Sequence, residues 1–210
     1  MPVYFYFIVI SFLVSFPLFR QTQTPFYLKL FSPFLGLTLL VDGYGLYLRS
    51  KGINNYTMYS LFTALEFVFY LFVLSCIIRN LRVRLLVRYI LVFNIFFSLI
   101  SMFYIQKDRF NSISYSLSCL LIVFFCIYYF FEIFRYPQFV NLKNEPSFWI
   151  CSGLLFYYCC SFPLLGLTTL LETIPRVLVD NIFILLNAMN ILLYTLFVIA
   201  FLCRIKTQKR

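Results

Sequence analysis

The chain has no histidine, one tryptophan, six glycines and only seven acidic residues among 210. Without histidine it lacks the one side chain that normally titrates near neutral pH, and nothing can complete a histidine-containing zinc set. Seven cysteines are present (Cys76, Cys119, Cys126, Cys151, Cys159, Cys160 and Cys203), but no two are spaced as CxxC and all fall in apolar stretches. There a thiol acts as small apolar filler. The adjacent Cys159 and Cys160 are a redox candidate, although neighbouring helical positions point about 100° apart. No glycine-rich phosphate loop and no pair of intramembrane aspartates occurs. The usual enzyme constellations have no residues to occupy them, and neither catalysis nor a cofactor or metal is expected.

Apolar residues fill the space left by these absences. The composition is 63% hydrophobic and 11% charged, with mean hydropathy +0.92, too little polar surface to cover a soluble core. Crossing roughly 30 Å of hydrocarbon takes about 20 residues at 1.5 Å each. Seven stretches meet that length, near 2–19, 27–48, 57–78, 85–105, 113–134, 147–171 and 181–203. The expected fold is all-α, a polytopic seven-helix transmembrane bundle forming a single domain over 1–210. The first span has no basic residue before it and no small-residue cleavage pattern, so it reads as a retained helix.

Basic residues set the expected orientation. If the N-terminus lies outside, the inner segments hold Arg20, Lys29, Arg79, Arg82, Arg84, Arg88, Arg135, Lys143, Arg204, Lys206, Lys209 and Arg210, against Arg49, Lys51, Lys107, Arg109 and Arg176 outside, accounting for all 17. Twelve against five favours N-outside, C-inside. The net charge of +10 is then a topology signal with the lipid bilayer and its anionic headgroups as partner. Nucleic-acid binding would need a soluble basic domain, which is not seen. Arg79, Arg82, Arg84 and Arg88 surround one inner connector and suit either snorkelling to headgroups or docking of a partner.

An internal repeat is legible. Pro33-Phe34-Leu35-Gly36-Leu37-Thr38 recurs as Pro163-Leu164-Leu165-Gly166-Leu167-Thr168, each followed by an acid, Asp42 or Glu172. Phe16 to Arg20 matches Phe131 to Arg135, and Thr63 to Tyr70 matches Asn187 to Tyr194. Each match skips four helices, giving a parallel 3+1+3 plan: a first triplet over 1–79, a linker helix at 85–105 and a second triplet over 113–203. Pro33 and Pro163 remove a backbone hydrogen bond and kink or unwind their helices, while Gly36 and Gly166 allow close approach at the bend. Asp42 and Glu172 near the outer ends suit either a vestibule mouth or the water boundary. Asn94 on the linker helix has no repeat partner.

The repeat predicts a polar patch at mid-membrane. Thr63, Glu66 and Tyr70 share a helical face, and Asn187, Asn190 and Tyr194 repeat it. Glu66 lies roughly 14 Å deep, where an ionisable group should face protein or water. Two readings stay open: a ligand-, cation- or proton-binding site formed by these six residues, or interhelical glue in which Glu66 bonds Asn190.

Leu61 to Tyr70, Tyr128-Tyr129-Phe130-Phe131-Glu132, Glu145-Pro146-Ser147-Phe148-Trp149-Ile150 and Asn187 to Cys203 resemble an uncharacterised family of small seven-span membrane proteins of Bacteroidota. The resemblance implies a bacterial cytoplasmic (inner) membrane. Members often stand beside sensor kinases, which implies a sensory role and a sensor kinase or other membrane partner. The 3+1+3 plan is similar to SWEET transporters, PQ-loop carriers and microbial opsins. The chain departs from each, with Pro137-Gln138 unmatched in the first triplet and no lysine in the seventh span. The expected function is therefore a non-enzymatic sensory or regulatory module that binds a small ligand or lipid and acts through a partner. The alternative is a small-solute or proton-coupled transporter using Glu66. Asn55-Tyr56-Thr57 fits a glycosylation sequon if the host is eukaryotic.

Overall fold

The computed structural model describes residues 2–21, 23–105, 111–135, 142–166 and 176–208. Seven α-helices follow one another: α1 (Val3–Arg20), α2 (Phe26–Ser50), α3 (Tyr56–Ile77), α4 (Leu81–Ile100), α5 (Ser112–Arg135), α6 (Pro146–Ser161) and α7 (Arg176–Gln208). π-helical turns over Ser101–Ile105 and Phe162–Gly166 extend α4 and α6, and a 3-10 turn at Leu142–Asn144 precedes α6. Every one of the seven contributes a stretch long and apolar enough to cross a membrane. Among the described residues there is no strand.

Cross-helix bonds identify the two ends of the bundle. At one, Arg204 Nη2 donates to Gln23 O at 2.7 Å and Tyr27 meets Ser147 at 2.9 Å; Arg79 to Arg88, Lys143 and Lys206 also lie here, and we term it the basic end. At the opposite end, Asn111 N donates to Ser60 Oγ at 3.3 Å. Helix α1 packs between α2 and α7, α6 between α5 and α7, and α3 against α2, α4 and α5.

The core is aromatic. Phe34 stacks on Phe69 with ring centroids 3.9 Å apart, and Phe31 meets Phe69, Phe197 and Phe201 edge-on at 5.0, 5.2 and 5.5 Å. This hub ties α2, α3 and α7 together with offset and T-shaped pairs, the arrangements ring quadrupoles prefer. Outside it, Leu13, Leu40, Phe93, Phe96, Phe124 and Phe156 are exposed, as a lipid-facing surface requires.

Helix α4 reverses the soluble pattern: its buried residues are Val87, Asn94 and Ser98. The two polar ones, with Ser101, form rungs to α5. Asn94 Nδ2 donates to Ser118 Oγ at 2.7 Å, Ser98 pairs with Ser114 at 2.6 Å, and Ser101 Oγ donates to Asn111 Oδ1 at 2.7 Å. Spacings of four and three residues on each helix keep the three rungs on one face. Asn94 thus fastens α4 to α5.

The fourth helix begins at Leu81 rather than near 85, because Asn80 Oδ1 accepts the Arg82 N–H at 3.0 Å as an N-cap. Its first turn has no acid, against the preference of the helix dipole. Buried Glu132 of α5 supplies the charge, accepting the N–H groups of Arg79 at 2.9 Å and Asn80 at 2.8 Å. Arg84 is turned onto Ile78 O through Nε at 3.1 Å and Nη2 at 2.8 Å. Of the four arginines expected to meet headgroups or a partner, Arg79, Arg82 and Arg88 are exposed, and Arg84 instead closes this connector.

The two Pro-Gly segments expected to be equivalent differ locally. Helix α2 is continuous through Pro33, whose ring is exposed, whereas Pro163 lies within a π-helical turn. A residue without an N–H cannot sustain the ladder, and a wider turn re-registers it. Gly36 does permit close approach, since a Cβ there would meet Phe12 Cε2 of α1 at 3.2 Å. Thr168, Glu172 and Pro137-Gln138 lie outside the described residues.

Candidate functional site

Glu66 occupies the third turn of α3, about 15 Å from its first residue at 1.5 Å per step. Helices surround it, with Tyr157 and Tyr158 of α6, Tyr194 of α7 and Asp42 of α2 all within electrostatic reach of its carboxyl. Despite that enclosure Glu66 is half-buried. The residue as a whole keeps some accessible surface, while its carboxyl is enclosed by these groups.

Two phenol hydroxyls are directed at it. Tyr70 lies one turn on along α3 and Tyr158 faces it from α6, with exposures of 0% and 1%. Their hydroxyls act on the Glu66 carboxyl, yet none of these approaches has hydrogen-bonding geometry, and both oxygens are buried without a partner. A buried hydroxyl left unpaired costs about 1–3 kcal/mol.

The polar surface continues away from the basic end. Asp42, about 12 Å from the last residue of α2, is half-buried and acts on Glu66. Tyr4 of α1 and Tyr59 of α3, both half-buried, lie within reach of Asp42 and of exposed Arg49. A file of polar groups thus runs from Glu66 past Asp42 to the surface. Toward the basic end the same helices carry the Phe31, Phe34, Phe69, Phe197 hub, against which the Tyr70 ring packs at 5.5 Å from Phe34 and 6.2 Å from Phe197.

The six residues expected at the centre divide. Glu66, Tyr70 and Tyr194 come together. Thr63 and Asn190 bond their own helices, to Ser60 O at 3.0 Å and to Leu186 O at 3.1 Å, and half-buried Asn187 lies further along α7. A Glu66 to Asn190 bond, the mark of a purely structural patch, is replaced by back-bonding within α7. The sequence does not single out Tyr4, Tyr59, Tyr157 or Tyr158, and it leaves Asp42 open between a vestibule mouth and the water boundary. One signal was present: Tyr59, Thr63, Glu66 and Tyr70 follow a single seven-residue face period, one turn longer than the face first recognised.

Among the described residues no three of His, Cys, Asp and Glu converge to hold a metal. Cys159 is exposed and Cys160 half-buried, diverging as helical neighbours must. Compared with known proteins, the chain matches no family model, no curated protein and no solved structure.

Proposed function

We propose that the protein is a sensory or regulatory membrane protein that binds a small ligand in the space around Glu66 and acts through a partner. The observation that carries this is an ionisable group far from either end of an apolar helix, Glu66, enclosed by helices with two buried, unpartnered tyrosine hydroxyls turned toward its carboxyl. Pure interhelical glue would satisfy these groups among themselves. Exposed Arg79, Arg82 and Arg88 at the basic end suit the output surface, where a sensor kinase or other membrane partner, as the Bacteroidota resemblance implies, would dock. A bacterial inner membrane is part of the same reading.

A second reading, a small-solute or proton-coupled transporter, is favoured by the polar groups Asp42, Tyr4 and Tyr59 on one side of Glu66 and by the packing pairs. Under a 3+1+3 repeat α1 corresponds to α5, α2 to α6 and α3 to α7. The contact of α1 with α7 then mirrors that of α5 with α3. Two related triplets facing each other across a central site are what alternating access uses.

One experiment separates the readings. Protein reconstituted in nanodiscs and in liposomes is screened for ligands by thermal shift, and each ligand found is then assayed for flux. Binding that is weakened at least tenfold by Glu66→Gln, without flux, supports the sensory reading. Flux abolished by Glu66→Gln supports the transporter. Binding indifferent to Glu66→Gln overturns both.

A further inference from the structure

We infer that the basic end carries a binding surface for an anionic phospholipid where α6 begins and α7 ends, built from Lys143, Arg204 and Lys206 beside Trp149.

Hydrogen bonds gather the cations. Lys143 O accepts from Trp149 Nε1 at 3.0 Å and from Cys203 Sγ at 3.2 Å, so the 3-10 turn, the first turn of α6 and the last turns of α7 are fastened at one atom. Lys206 lies three residues beyond Cys203 on the same helical face. Arg204 turns aside and donates through Nη2 to Gln23 O at 2.7 Å, in the connector between α1 and α2. Lys143 and Lys206 are exposed and Arg204 is half-buried. Three positive charges thus stand on segments that are already cross-linked.

The acids of this end are committed elsewhere. Glu145 is half-buried and accepts from Ser147 Oγ at 3.3 Å, and Ser147 also meets Tyr27. Buried Glu132 holds the backbone N–H groups of Arg79 and Asn80 on the far connector. The charge that suits Lys143, Arg204 and Lys206 is therefore an external anion.

Apolar surface beside the cations points to a lipid as its source. Leu202 is exposed one residue before Cys203, and Phe16, Phe19 and Phe26 are exposed where α1 ends and α2 begins. The Arg20 guanidinium stands 5.0 Å over the Phe16 ring. Cations at headgroup level with apolar side chains next to them match an amphiphile, whereas a free phosphate would use the cations alone. Trp149 fits the same depth, since an indole with its N–H bonded and its rings apolar belongs at the membrane interface. Lysine stems lie along apolar surface while their ammonium groups reach headgroup phosphates, and each such charge strengthens attraction to an anionic leaflet. This surface is distinct from Arg79, Arg82 and Arg88, the proposed output surface.

Trp149 is the single tryptophan, so its fluorescence reports on this corner. Full-length protein is reconstituted in phosphatidylcholine bilayers containing a small fixed fraction of phosphatidylglycerol or phosphatidylcholine with dibrominated chains, at physiological ionic strength. The expected result is quenching by brominated phosphatidylglycerol with a relative association constant about threefold or more above that of brominated phosphatidylcholine. Lys143→Gln with Lys206→Gln should abolish that preference, and Arg82→Gln with Arg88→Gln should leave it unchanged; all four side chains are exposed. Equal quenching by the two lipids in the unaltered protein overturns the inference, as does a preference that survives loss of both lysines. A preference lost alike in both double variants reflects only the diffuse potential of the basic end and overturns the assignment to this corner. Loss of the preference in millimolar inorganic phosphate, at constant ionic strength, overturns the lipid as the source of the anion.

Discussion

Glu132 supplies to α4 a negative charge that the first turn of that helix lacks. Its two oxygens take separate backbone N–H groups, at 2.9 and 2.8 Å, and hydrogen bonds to a charged acceptor contribute about 1.5–3 kcal/mol each. Glu132→Ala should lower stability in detergent by about 3 kcal/mol or more. Glu132→Gln keeps one acceptor and should lose about half of that, measured from denaturant midpoints at constant slope. Equal losses in the two variants would mean that the side chain matters only for packing. Glu132 was visible in the sequence merely as part of a helix-closing motif, because a cap supplied by a helix some fifty residues away leaves no local trace. Glu66 was legible for the opposite reason: a charge far from either end of an apolar stretch is costly enough to demand an explanation. Asp42 lay between these cases, since α2 continues to Ser50 and puts two turns of helix between that acid and the surface expected to hydrate it.

Helices were the most legible elements, since runs of about 20 apolar residues have one spanning solution in hydrocarbon. Which faces meet was far less legible. Buried Gly153 brings α6 against α7 so closely that a Cβ would lie 3.2 Å from Leu193 Cδ1, 3.4 Å from Leu196 Cβ and 3.6 Å from Leu193 O, yet nothing in the repeat pointed to it. Gly43 has nothing within 4 Å of that position. Gly153→Ala should therefore destabilise the bundle by about 1–3 kcal/mol through overpacking. Gly43→Ala should be neutral or stabilise α2 by up to about 1 kcal/mol through helix propensity. Thermal midpoints of the two variants, compared in one detergent, check this. Equal shifts would show that α6 and α7 yield freely at their contact. The serine rungs between α4 and α5 were equally hidden, because serine in an apolar helix is common and only the antiparallel register of two helices turns it into a ladder.

For the whole molecule the ordering of polar and aromatic layers matters more than any single contact. Asp42, Tyr4 and Tyr59 lie on the side of Glu66 away from the basic end and the Phe31, Phe34, Phe69 and Phe197 hub on the side toward it, so access to Glu66 is expected from the end opposite the basic one. On the orientation proposed from the positive-inside rule, the basic end faces the cytoplasm and the opposite end is external. Thr63→Cys in a chain whose seven native cysteines are serine should then react with a membrane-impermeant thiol reagent in right-side-out vesicles and not in inside-out ones. Phe69 stands 3.9 Å from Phe34 and 5.0 Å from Phe31, bridging two rings of α2. Truncating it to alanine would cost about 3–5 kcal/mol and endanger the bundle, whereas Phe69→Leu keeps most of the volume and loses the stacking. That variant should let the reagent reach position 63 from both sides, at a slower rate from the basic end. Reaction of the unaltered hub from both sides would show that the aromatic layer does not close the site. Reaction from the basic side alone would invert the orientation while leaving the one-ended architecture intact.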